Sequence, residues 1–172
     1  MRKPVRSTAA TSRLTALLVG QRGGASQCPL RLAKDKIGIS RGGRTTKIHA
    51  LVDVLGRPLR LVLTPGNTSD VKGADLLIGE TVGMKRVIAD RGYDANRIRA
   101  ALREQGTIPV IPGRRNRKRP IQYDERRYKD RWRVEAIFCR LKDFRRVATR
   151  YDKLARNFLS AVCLAAAVAF WL

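Results

Sequence analysis

Tyr128, Arg131, Glu135 and Lys142 are spaced so that one helix would bring all four to a single face. At ~100° per residue their directions fall within roughly 60° of one another. Val134, Ile137, Phe138 and Leu141 form an apolar stripe beside them, so the helix can bury one flank and hold the other out. A lone carboxylate among cations suits a hard divalent ion, or an ion pair with Arg131 or Lys142. Asp90 offers a second carboxylate at the end of the short apolar segment 86–90. Ligands of open α/β sheets bind beyond strand C-termini. Two carboxylates from separate elements that meet there can hold metal, and two ions ~3.5–4 Å apart can activate a water or hydroxyl and steady a leaving oxygen. The alternative has Asp90 capping a turn and Glu135 in an ion pair, and spacing alone leaves both open.

Composition narrows the partner. The 172 residues suffice for one domain with a real core, and 44% of them are hydrophobic. Lys and Arg number 37 against 14 Asp and Glu, a formal charge of +23 that points to nucleic acid. Structural binders share this composition, so charge does not by itself indicate an enzyme. Cys28, Cys139 and Cys163 are widely spaced and form neither a zinc pattern nor a disulfide framework, which fits a reducing compartment. His49 is the single histidine, which excludes a His-clustered metal site. A bound metal would need carboxylates and would be Mg²⁺ or Mn²⁺.

The elements that must position these groups follow from periodicity. Residues 1–40 show no clear period, and their glycines suggest a basic, loop-like stretch. Their apolar run 14–19 is too short for a signal peptide. Residues 45–53 alternate, with Ile48, Ala50 and Val52 on one face, and 59–63 return after the turn at Gly56 and Pro58. Ser69 or Asp70 could cap a helix reaching to about residue 79. The segment 86–90 then reads as a strand, Asp94 as an N-cap, and Ile98, Ala101 and Leu102 as a helical stripe stopped by Gly106. Residues 108–111 complete a βαβ unit with parallel strands. Arg114, Arg115, Arg117, Lys118 and Arg119 make a dense basic loop between Pro112 and Pro120. The apolar tail 158–172 is shorter than the ~20 residues of a membrane span and reads as a core helix. Trp132 and Trp171 read as packing residues, with base stacking a lesser option for Trp132. His49, mid-strand, reads as a packed, hydrogen-bonded residue.

Four segments carry a family resemblance: TTKIHA at 45–50, LTPGNTSD at 63–70, ADRGYD at 89–94 and TRYDKLARNF at 149–158. With the Tyr128, Arg131, Glu135, Lys142 spacing, which matches a Y-(2)-R-(3)-E-(6)-K signature, the chain from about residue 38 resembles IS5-type insertion-sequence transposases of the wider IS4-like DDE group. The resemblance implies an RNase H-like three-layer α/β fold with a mixed sheet. It implies an Asp, Asp, Glu triad binding two Mg²⁺ (or Mn²⁺), with Asp90 as the second Asp and Glu135 as the Glu. Tyr128, Arg131 and Lys142 would then contact DNA phosphate or position the scissile strand. Arg114, Arg115, Arg117, Lys118 and Arg119, with Arg145, Arg146 and Arg150, would bind phosphate independently of sequence. The implied partner is double-stranded DNA at element ends and target, acted on by a homo-oligomer in the bacterial cytoplasm at the nucleoid, with no membrane.

The chain departs from the family at the first Asp. Where that acid is expected upstream of the hairpin, the sequence reads Val5, Arg6, Ser7, Thr8. Asp35 and Asp53 are poor substitutes. The expected organisation is an irregular basic segment 1–37, with the first strand missing or altered, followed by a catalytic domain over 38–172. The expected chain is a partial transposase, truncated or frame-shifted and inactive alone. The alternatives are a non-catalytic nucleic-acid binder that modulates a full-length relative, and a membrane-associated basic protein.

Overall fold

A computed structural model describes residues 15–23, 38–40, 43–149, 152 and 154–172, with side chains from residue 46 onward. Val5–Thr8, Cys28, Asp35 and Arg150 lie outside the described residues. The elements in chain order are β1 (Thr15–Gly23), β2 (Gly38–Ser40), β3 (Gly43–Val52), β4 (Pro58–Pro65), α1 (Asp70–Asp75), β5 (Arg86–Ala89), α2 (Asn96–Glu104), β6 (Ile108–Val110), α3 (Glu125–Tyr128), α4 (Trp132–Asp143), α5 (Arg145–Thr149) and α6 (Ala155–Phe170). One-turn 3₁₀ segments at Ile78–Thr81, Arg91–Tyr93 and Lys129–Arg131 join some of them.

Strand order runs β4-β3-β1-β5-β6, with β2 on part of β3. β3 pairs antiparallel with both β4 and β1, whereas β1, β5 and β6 run parallel to one another. The hairpin and the βαβ unit are therefore as expected, and α2 supplies the crossover between β5 and β6. The segment before residue 40 differs from its sequence reading. Thr15–Gly23 is the central strand, paired to β3 on one edge and to β5 on the other, so the sheet crosses the boundary expected at residue 37. A strand hydrogen-bonded on both edges and covered on both faces needs no alternating pattern, which is why periodicity missed it.

Successive residues of each strand feed opposite faces. Ile48, Ala50, Val52, Leu63, Ile88 and Val110 join Val134, Ile137, Phe138 and Leu141 of α4 and Phe158, Val162, Ala165 and Ala166 of α6 in one core. Leu51, Val87 and Ala89 face the other way, onto Ala74, Leu77, Ile98 and Leu102. The result is three layers, with the apolar stripe of α4 buried as its spacing requires. α6 packs one flank into the core but leaves Leu164 and Val168 exposed, so the expected buried core helix is buried on one side only, and among the described residues no helix is long and apolar enough to cross a membrane.

Tryptophan placement overturns an expectation. Trp132 and Trp171 are 59% and 53% exposed. Each is capped by a guanidinium, Arg133 at 5.6 Å and Arg57 at 4.7 Å from the ring centre, so a cation–π contact replaces core packing.

Candidate functional site

Asp90 follows directly on β5, whose Ile88 and Ala89 are fully buried, so a rigid strand aims its carboxylate out of the sheet end. Tyr128 and Arg131 come from the turns entering α4, where Lys129–Arg131 tightens to 3₁₀ geometry. The single helix read from the spacing is thus three consecutive helical segments, and the four residues share no one regular helix. Arg131 Nη1 donates to Asp90 Oδ1 at 2.9 Å, and its Nη2 lies 2.8 Å from Glu135 Oε1. The Tyr128 hydroxyl donates to the same Asp90 oxygen at 3.4 Å, and the Arg131 guanidinium sits 5.7 Å from the centre of the Tyr128 ring. One guanidinium therefore ties both candidate carboxylates together, and the ion-pair reading of Glu135 with Arg131 holds. Lys142 is exposed nearly two turns further along α4 and pairs with neither carboxylate among the described ion pairs.

The electrostatics follow from partial burial. Burial first, then the Asp90 carboxylate, push the Tyr128 phenol above its usual pKa, so at neutral pH it is a neutral hydrogen-bond donor. For Arg131, burial disfavours the charge, but Asp90, Tyr128 and Glu135 outweigh it and the pKa rises. A permanently charged guanidinium at this point can meet a phosphate oxygen as well as hold the carboxylates.

Asp94 does not cap α2, as its position suggested; Ala95 is the N-cap. The Asp94 side chain is wholly buried and takes hydrogen bonds from Arg99 Nε at 2.9 Å, Arg117 Nε at 2.5 Å, Arg117 Nη2 at 2.7 Å and the Arg114 amide at 2.8 Å. Burial opposes ionisation, yet the bonds from Arg117, the Arg114 amide and Arg99 prevail and hold its pKa at about 2. Two cations beside one carboxylate account for the change of role. Asp94 clamps the basic loop to the β5 turn and thereby holds Arg114 and Arg115 beside Arg91 and Gly92. Of the other basic candidates, Lys118, Arg119 and Arg145 are exposed and Arg146 pairs with Asp152 at 2.7 Å.

His49, wholly buried on β3, is hydrogen-bonded as expected, with Nδ1 2.8 Å from the Tyr93 hydroxyl and Nε2 2.8 Å from Thr64 Oγ1. Burial lowers its pKa to about 4; Asp70 pulls the other way and Lys47 adds to the lowering. Asp53 is no substitute metal ligand. Its carboxylate binds the Leu55 and Arg57 amides and the Arg57 side chain, and so organises the β3–β4 turn.

Asp90 and Glu135 present the hard oxygen donors that one Mg²⁺ or Mn²⁺ would take. A two-ion centre needs more. Among the described residues no group of three or more His, Cys, Asp or Glu converges, and β1, the strand beside Asp90, carries no acidic residue from Thr15 to Gly23. Its Leu18 is in register with Ala89, the residue before Asp90.

The sequence pattern described as Transposase DDE domain matches residues 28–170. The chain is 40% identical over 132 residues to a Brucella ovis protein described as a transposase for insertion sequence element IS6501, covering 74% of this chain and 98% of the relative. It is 36% identical over 121 residues to a Burkholderia cepacia protein described as a transposase for IS402, covering 64% of this chain and 55% of that relative. Among solved structures, the catalytic core of BIV integrase aligns with a TM-score of 0.49 and 14% identity, over 89% of this chain and 80% of the other. Three antiparallel strands joined to parallel ones, with helices on both faces, agree with the mixed α/β architecture expected from the sequence. Membership of a DDE family brings with it DNA as partner and a divalent metal, generally Mg²⁺ or Mn²⁺. The chain belongs to the transposase DDE domain family.

Proposed function

We propose that this chain is a partial insertion-sequence transposase of IS5 type, which binds DNA at the Asp90–Arg131–Glu135 site and does not cleave it alone. The observation that carries this reading is the guanidinium of Arg131 shared between Asp90 and Glu135, at the end of a buried strand whose neighbour β1 brings no third carboxylate. Asp90 and Glu135 would hold one divalent ion. In a complete family site two such ions supply activation of the attacking water or 3′-hydroxyl and stabilisation of the leaving oxygen. Tyr128 and Arg131 orient the strand end by donating to Asp90 and to phosphate, and Lys142 contacts phosphate further along. Arg114, Arg115, Arg117, Lys118, Arg119, Arg145, Arg146 and Arg150 supply sequence-independent attraction to the duplex. A complete transposase would work as a homo-oligomer on element ends and target in the bacterial cytoplasm, at the nucleoid.

The test is DNA affinity with and without Mg²⁺ at constant ionic strength, for the native chain and for Glu135→Ala. The native chain should bind duplex more tightly with Mg²⁺ than with a chelator. Glu135→Ala should abolish that gain and leave chelator-state affinity within about fivefold, because an exposed ion pair contributes under ~1 kcal/mol. A gain that survives in Glu135→Ala would place the ion away from Glu135, and no gain in the native chain would leave a purely charge-driven binder.

A further inference from the structure

Three of the four family-like segments leave most of their residues outside the site just described, yet they meet in one place. Lys47 from TTKIHA, residues 66–70 from LTPGNTSD, and Arg91 and Gly92 from ADRGYD line an open groove of about 930 Å³ together with Arg114 and Arg115 of the basic loop. Tyr128 and Arg131 take no part in its walls. Four cationic side chains stand there against one carboxylate, Asp70.

We infer that this groove is a second nucleic-acid contact, which holds the phosphodiester backbone of a DNA strand as it leaves the Asp90 end of β5. The inference rests on the DNA-binding reading above. Its floor is built rather than incidental. Lys47 Nζ donates to Asp70 Oδ1 and to the Thr68 carbonyl, both at 2.8 Å, which fixes the 66–70 loop over β3. The Arg91–Tyr93 turn comes so close that a Cβ on Gly92 would lie 2.3 Å from Asp70 Oδ2. A side chain there would push the Asp70 carboxylate aside and disturb its pair with Lys47, so glycine suits the approach that seats Arg91 at the rim. Arg114 Nη2 donates to the Gly92 carbonyl at 2.9 Å and ties the basic loop to the same turn. Lys47 and Asp70 thus spend their charges on each other, whereas Arg91 and Arg115 are exposed and their guanidiniums have no hydrogen-bond or ion-pair partner among the described residues. Unpartnered guanidiniums beside a rigid polar loop match the planar, bidentate geometry of phosphate oxygens. Arg91 follows Asp90 in sequence, so a strand engaged at Asp90 would run directly onto the groove.

The salt dependence of duplex binding tests this. On a duplex each phosphate contact contributes about 0.9 to the slope of log affinity against log salt. The double variant Arg91→Ala, Arg115→Ala should therefore flatten the slope by roughly 1.8, with an unchanged thermal melt. The control, Arg60→Ala with Arg140→Ala, removes the same charge from exposed positions outside the groove and should change the slope by less than about 0.5. Equal flattening in both variants, or none in the groove variant, overturns the groove and leaves DNA binding standing. A native chain with no salt-dependent affinity for duplex overturns both.

Discussion

Replacing Asp94 by alanine should lower the free energy of unfolding by about 3–5 kcal/mol, the range for removing one partner of a buried ion pair. The effect is large because the lost carboxylate is wholly buried and serves two guanidiniums and an amide. Arg99, itself 4% exposed at the side chain, would keep only its bond to the Ile111 carbonyl, and an incompletely compensated charge would remain inside. Urea denaturation should show a lower midpoint at an unchanged slope, since the exposed surface is unaltered. A loss under ~1 kcal/mol would mean that the network adds little. Function should suffer with stability. Without the clamp, the basic loop is no longer pinned to the turn after β5, so DNA affinity should fall even where the variant remains folded.

Acid should weaken the fold in two separate windows. His49 has a folded pKa of about 4 against 6.5 for the free side chain, so the unfolded chain takes up a proton that the folded chain refuses. Stability is therefore complete above pH 6.5 and is lost as pH falls towards 4. The expected loss is about 2 kcal/mol between pH 8 and pH 5. Because His49 is the single histidine, His49→Gln should flatten most of that slope. Asp94, held at about 2 against 3.8, adds stability above pH 3.8 that disappears as pH falls through 2, about 2 kcal/mol more. Urea midpoints measured from pH 8 to pH 2 separate the windows. A native profile flat from pH 8 to 5 would contradict the buried, neutral His49 that bonds Tyr93 and so braces the turn after Asp90.

Much of this architecture is legible in local chemistry. Turn residues at Gly56 and Gly106, both at positive φ, bound the hairpin and end α2, and a 3.6-residue stripe marks the buried side of α4. What escapes is tertiary. β1 carries no period because helices lie over both of its faces. Asp94 resembles an N-cap until Arg99 of α2 and Arg117 of the basic loop converge on it. Trp132 and Trp171 look like core residues until arginines cover them at the surface. At the site, Asp90 arrives from the end of β5 and meets Tyr128, Arg131 and Glu135 from three successive helical segments rather than one helix face, whereas Lys142 stands apart because α4 carries it nearly two turns onward. The groove at Lys47 and Arg91 left one trace in the sequence, the family-like segments around it. No spacing rule says that loops 66–70 and 91–92 would touch.

The most direct test of the account is nicking of supercoiled plasmid by the purified chain in Mg²⁺ and in Mn²⁺, with Asp90→Asn alongside. A site with Asp90 and Glu135 alone should bind the plasmid and leave it supercoiled, indistinguishable from Asp90→Asn. Metal-dependent nicking that disappears in Asp90→Asn would contradict that prediction, and would show that a third ligand completes the centre.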